Sequence, residues 1–207
     1  MRPSILLLAP VLMLFSAGIA HADPIEDGVN AALSGDYPTA IKLLDAGVDR
    51  GDARAQFFLG ILYETGSGVT KDASHAAQLY RLSAEKGLAT AQNNLASLLA
   101  DGNGVTQDLK EAMKWWVLAA DQGLPVAQTN LADYYANGAA VSQDYVQAYK
   151  WSRLAAAHGN ADAVQILHDL TQVMSADQIA DGERLARAWR PARTDGALGP
   201  ARWAVRL

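Results

Sequence analysis

Four histidines, His21, His75, His158 and His168, are the side chains best suited to metal binding or proton transfer near neutral pH, and no two stand four residues apart on one helical face. Such spacing describes surface or half-packed histidines. The chain contains no cysteine, which excludes thiolate zinc sites, Cys nucleophiles, disulfides and lipid-modified Cys anchors. Carboxylates are plentiful, yet no Asp-x-Asp-x-Asp-Gly calcium loop occurs. Gly66-Ser67-Gly68 and Gly102-Asn103-Gly104 could cradle a phosphate through backbone N–H groups, but neither runs into Gly-Lys-Ser/Thr, so they are helix-exit turns. A Gly-x-Ser-x-Gly elbow is absent, as is a Ser-x-x-Lys with supporting motifs. These patterns assign no catalytic residue, no metal and no cofactor, and binding becomes the chemistry to look for.

The 207 residues are 50% apolar and 19% charged with a formal net charge of −5, a composition that folds and offers no global basic surface for nucleic acid. The charge is unevenly divided. Residues 23–182 carry 10 Lys and Arg against 20 Asp and Glu, whereas 183–207 carry 6 Arg against 2 acids.

Met1-Arg2, an apolar run from Ile5 to Phe15, and small residues in Ala20-His21-Ala22 have the order of a secretory signal peptide cleaved after Ala22. The run is interrupted too early to span a bilayer, which needs about 20 apolar residues. A periplasmic or secreted protein is therefore expected, with no stable membrane insertion after cleavage.

The remaining sequence repeats every 36 residues. Ala55, Ala91, Ala127 and Ala163 share that spacing, as do Leu59, Leu95, Leu131 and Leu167, and Gly51, Gly87, Gly123 and Gly159. Asp36, Asp72, Asp108 and Asp144 hold it too. Each unit predicts two helices. In the first, Ala55, Leu59, Leu62 and Tyr63 make a stripe of helical period, and the paired glycines then end it. The aspartates stand where N-caps belong, and Asp108 with Glu111 and Asp144 with Gln147 have capping-box spacing. The second helix follows, for example over 109–122, and closes at Gly123. One such hairpin cannot bury its apolar face alone, so neighbours must stack. Expected units are an entry hairpin at 23–51 (helices 25–34 and 37–48), repeats at 52–87, 88–123 and 124–159, a partial repeat with a capping helix at 160–190, and a basic tail at 191–207. The final helix is expected to open with the capping box Ser175 to Gln178 and to run to about Trp189.

The pattern Ala-x-Ala-Gln-x-x-Leu-Gly-x-x-Tyr-x-x-Gly-x-Gly-Val-x-x-Asp over 53–72, continued over 89–115 and 127–151, resembles Sel1-like repeats, relatives of the tetratricopeptide repeat. The resemblance covers roughly 36–170 and departs at Ala140, which replaces the second loop glycine. It implies an all-α, right-handed solenoid of stacked hairpins with a concave face lined by the first helix of each pair. Trp115 and Trp151 would then serve inter-repeat packing, with Trp116 extra and partly exposed. Aligned on the Leu-Gly pair, the groove would be lined by Phe57, Ile61 and Glu64; Asn93, Ser97 and Ala100; Thr129, Asp133 and Ala136; and Gln165 and Asp169. Such a groove has amides, hydroxyls and an acidic end but almost no basic residue, which disfavours a carboxylate clamp and suits neutral or basic peptides.

The expectation is an exported scaffold that binds a protein or peptide in the envelope. A cell-wall-active or β-lactam-binding enzyme is a second reading, because some secreted Sel1-like proteins are linked to β-lactams, although those carry a disulfide in each repeat and this chain has none. A regulator of an envelope enzyme or receptor is a third. For the tail, the opposed charges suggest that it folds back along the acidic body or grips an anionic envelope component.

Overall fold

A computed structural model describes residues 23–192, which form ten α-helices and no strand. The leader expected over 1–22 and the tail from 193 onwards lie outside the described residues. In chain order the helices are α1 (Pro24–Leu33), α2 (Tyr37–Asp49), α3 (Ala53–Thr65), α4 (Ala73–Glu85), α5 (Ala89–Asp101), α6 (Leu109–Asp121), α7 (Pro125–Asn137), α8 (Tyr145–Ala156), α9 (Ala161–Val173) and α10 (Ala176–Ala188). The first four hairpins each pack on themselves, and α2, α4, α6 and α8 each pack on the first helix that follows, giving a helical repeat solenoid.

The repeating columns make the core. Ala40, Ala76, Ala112 and Ala148 are fully buried, as are Ala55, Ala91, Ala127 and Ala163, and side chains this small let neighbouring helices approach closely. Leu59, Leu95 and Leu131 fill the space between them. The apolar core is continuous from α1 to α8, and a smaller cluster of Ala148, Tyr149, Leu170 and Met174 closes the far end.

The aspartate caps form as expected in one respect and differ in another. Asp72, Asp108 and Asp144 accept hydrogen bonds from the backbone N–H of His75, Glu111 and Gln147. The reciprocal half of the box is absent at Asp108, because Glu111 instead accepts from Arg81 at 2.6 Å and from the Trp115 indole at 3.2 Å. Only at Ser175 and Gln178, among the described residues, is the box complete.

Gly104 shows why the loop glycines recur. It has φ +72°, and a Cβ there would lie 2.3 Å from the Ala73 carbonyl carbon at the start of the previous second helix. Ala140 cannot take that conformation cheaply, and no non-glycine residue described has positive φ. The third loop therefore turns at Gly138 and takes a different path through Ala140.

Trp151 is buried in the core as expected, but its neighbours one repeat earlier exchange their expected exposure. Trp116 is buried, 4.8 Å between ring centroids from Tyr134, whereas Trp115 is only half-buried. Helix α10 packs on α8. Arg153 meets Glu183 across that contact as Arg81 meets Glu111 from α4 to α6, both thirty residues apart.

Candidate functional site

The first helices α3, α5, α7 and α9 carry the residues expected to bind. The first member of each triplet is inside the protein. Phe57 is buried and its ring lies 5.2 Å from Phe58 and 5.8 Å from Tyr80. Thr129 is buried, with its hydroxyl donated to the Pro125 carbonyl one turn back at 3.0 Å. Asn93, 8% exposed, donates to Asn94 Oδ1 and accepts from Asn130 Nδ2 at 3.1 Å. These three cannot present free polar groups to a ligand. Ala100 is buried as well.

The other positions remain within reach of solvent. Ile61, Glu64, Ser97 and Ala136 are half-buried, and Asp133, Gln165 and Asp169 are exposed. Asn137 donates to Asp133 at 2.9 Å, and Gln165 to Asp169 at 2.8 Å, so each carboxylate is tied to an amide on its own helix. Ser97 donates to the Asn93 carbonyl.

Asn94 and Asn130, half-buried and 36 residues apart, were not among the expected residues. They sit one position past Asn93 and Thr129, and that spacing was the available signal. With them the amides form a line across three repeats. The phenol of Tyr80 donates to Glu64 at 2.6 Å and also hydrogen-bonds Asn94; Asn94 meets Asn93; and Asn93 meets Asn130. Burial, reinforced by the Glu64 carboxylate, pushes the Tyr80 pKa far above its ordinary value, so the phenol remains a proton donor at any physiological pH.

The electrostatics of this face are acidic. Burial, together with Asp101 and Asp133, raises the Tyr134 phenol, which places two carboxylates beside an aromatic ring. Charge of this sign, with ready amide donors and acceptors, can hold an extended backbone or a cationic side chain.

Metal chemistry finds no foothold among the described residues, where no three His, Asp or Glu converge. His75 stacks edge-on against Tyr63 at 4.3 Å, and His158 and His168 are exposed. No described helix is long and apolar enough to cross a membrane.

The Sel1 repeat family model matches residues 53–88, 89–124 and 125–160. The chain belongs to the Sel1 repeat family. Sel1-repeat proteins are generally protein-interaction scaffolds. Among solved structures, this Sel1-repeat chain is similar to a Sel1 repeat protein from Oxalobacter formigenes, at 31% identity and a TM-score of 0.66, over 69% of this chain and 59% of that one. It is also similar to c5321, a protective antigen present in uropathogenic Escherichia coli strains displaying an SLR fold, at 25% identity and a TM-score of 0.57, over 80% of this chain and 44% of that one. The chain thus spans between 44% and 59% of the length of these two structures. No curated protein matches it in sequence.

Proposed function

We propose that this protein is an exported scaffold that holds a neutral or basic peptide segment of an envelope partner on the face of α3, α5, α7 and α9. The single observation that carries the reading is the line Glu64, Tyr80, Asn94, Asn93, Asn130, flanked by Asp101 and Asp133 with no basic side chain among them. Asn94 and Asn130, the half-buried amides of that line, each supply donor and acceptor groups in a fixed plane, which matches the backbone of an extended peptide irrespective of its sequence. The carboxylates then select charge, favouring Lys or Arg and repelling Asp or Glu.

Export is supported by the order of the first 22 residues, whose expected cleavage point falls directly before Asp23. Asp23, the residue after that point, caps α1 and pairs with Arg54 at 2.6 Å, so a chain cleaved there keeps the cap and the ion pair. N-terminal sequencing of the protein recovered from a periplasmic extract tests this, with Asp23 expected as the first residue and Met1 contradicting it.

The binding experiment screens the chain from Asp23 onwards against an array of extended peptides that differ only in charge. Retention of neutral and Lys-containing peptides, lost with Asn94→Ala and Asn130→Ala while the thermal midpoint holds, is the expected result. Equal retention by the variant, or a preference for acidic peptides, overturns the reading.

A further inference from the structure

The last described residues run backwards. Trp189 leaves α10 in an extended conformation, its ring centroid 6.5 Å from that of Trp151, and packs against the main core although the body of α10 packs on the smaller terminal cluster. A Cβ on Gly123, just past the end of α6, would meet the Trp189 ring at 3.6 Å, and the Ala192 N–H donates to the Asp121 carbonyl at 2.7 Å. The chain therefore passes from the final helix to the C-terminal end of a second helix two hairpins earlier. There it occupies one of the carbonyls that a helix end leaves without an intrahelical partner.

That end belongs to a ridge. Helices α2, α4 and α6 finish on Asp49, Glu85 and Asp121, 36 residues apart, and none has a basic residue in its last turn. Each carboxylate adds to the negative end of its helix dipole, the opposite of the usual arrangement. Lys86 does not neutralise the ridge, because its ammonium is turned onto the Gly51 carbonyl and Gln56. Arg50, after Asp49, is left exposed, and half-buried Lys150, over the Trp151 ring, lies within electrostatic reach of Asp121. One turn before two of these acids, Leu82 and Leu118 are 44% and 48% exposed. The ridge thus repeats an acid beside an exposed leucine.

The sequence past Ala192 carries the complement. Arg193, Arg202 and Arg206 stand against one acid, Asp195, and Trp203, Val205 and Leu207 alternate with the last arginines. Fifteen residues reach up to about 50 Å when extended and about 20 Å as a coil. Helices α6, α4 and α2 alternate with α5 and α3, and adjacent packed helices lie roughly 10 Å apart, so the ends of α4 and α2 are at most about 20 and 40 Å away, within extended reach.

We propose that residues 193–207 dock on this ridge, crossing from the end of α6 over that of α4 to that of α2, with the arginines on Glu85 and Asp49 and the apolar side chains over Leu118 and Leu82. The segment is held beside the ridge by the Trp189 and Ala192 contacts, so association is intramolecular at an effective concentration on the order of millimolar. Docking would leave the face of the first helices open and close the edge formed by the second-helix ends.

The absence of cysteine makes the test direct. Spin labels on Gln78→Cys, exposed on α4, and Ala204→Cys report the distance from the segment to α4 in the chain from Asp23 to Leu207. A narrow distance distribution is expected, lost on adding Asp49→Lys and Glu85→Lys while helicity is retained. A broad distribution indifferent to those two charge reversals overturns the proposal. So does a short distance that appears only on mixing singly labelled chains, which assigns the segment to a second copy, or only with anionic phosphatidylglycerol vesicles, which assigns it to a membrane.

Discussion

Gln122 donates its side-chain amide to the Gln92 carbonyl oxygen across 2.8 Å, joining the end of one second helix to the first helix before it. Gln92 in turn donates to the Ala84 carbonyl at 3.1 Å, and Gln128 repeats that bond to Ala120 one unit later. This glutamine column therefore ties the end of α4 to α5 and the end of α6 to α7. Gln92 is 3% exposed, and its removal leaves both the Ala84 carbonyl and the Gln122 amide without it. Gln92→Ala should cost about 2 kcal/mol, and the double variant with Gln122→Ala should show a coupling of about 1 kcal/mol. Urea denaturation of the four chains measures both, and strict additivity would contradict the linkage.

Gly87 and Gly104 both have positive φ but differ in what surrounds them. A Cβ on Gly87 meets nothing within 4 Å, whereas one on Gly104 collides with the backbone of Ala73 and Ser74. Alanine at Gly87 should cost about 1–2 kcal/mol from the backbone alone. Alanine at Gly104 should cost more, because two helices must also separate. Thermal melts of the two variants compare them, and equal losses would sink the packing argument.

Arg54 sits between Asp23 and Asp52, at 2.6 and 3.1 Å. Its hydrogen bond holds the Asp23 carboxyl below its ordinary value of 3.8, and the Arg81 hydrogen bond lowers Glu111 from 4.5 in the same way. A carboxyl lowered by folding contributes stability that is present above its unfolded value and is lost as the pH falls through the folded one. Stability should thus be flat from pH 7 to about 5 and decline below about 4. Arg54→Met should flatten that decline and cost about 1 kcal/mol at pH 7, since the partners are about one-third exposed and screened by solvent. Melting curves at pH 3.5 and 7 give the difference, and an unchanged slope in the variant would count against the pairing.

Trp116 stacks against Tyr134 with its indole N–H buried and without a hydrogen-bond partner in the structure. Trp116→Phe keeps the ring contact and removes the unpaired donor, so it should change stability by less than about 1 kcal/mol. Trp116→Ala opens a cavity and should cost about 3–5 kcal/mol. Equal effects of the two in a denaturant titration would contradict the buried placement.

Repeat, hairpins and caps were legible in the sequence because each depends on spacing along one helix, as with Leu59, Leu95 and Leu131, or with Asp72 before its helix. Which neighbouring column faces out depends on how successive hairpins rotate against each other, and that is a sum over packed contacts. Asn93 and Asn94 differ by about 100° around one helix, yet one is buried under Asn130 and the other reaches Tyr80. Trp116 could have been placed from its column, since Leu44, Tyr80 and Ser152 at the same spacing are all buried. Glu111 was misread as a cap partner because its better partner, Arg81, lies thirty residues away.

The most direct test of the central claim is calorimetric titration of the chain from Asp23 onwards with a neutral peptide retained by the array, and with its Lys-substituted and Glu-substituted counterparts. The account predicts binding in the order Lys, neutral, Glu, and a loss of at least tenfold, about 1.4 kcal/mol, with Asn130→Ala and Asp133→Asn together. Affinity that ignores both the peptide charge and these two substitutions would contradict a binding face on the first helices.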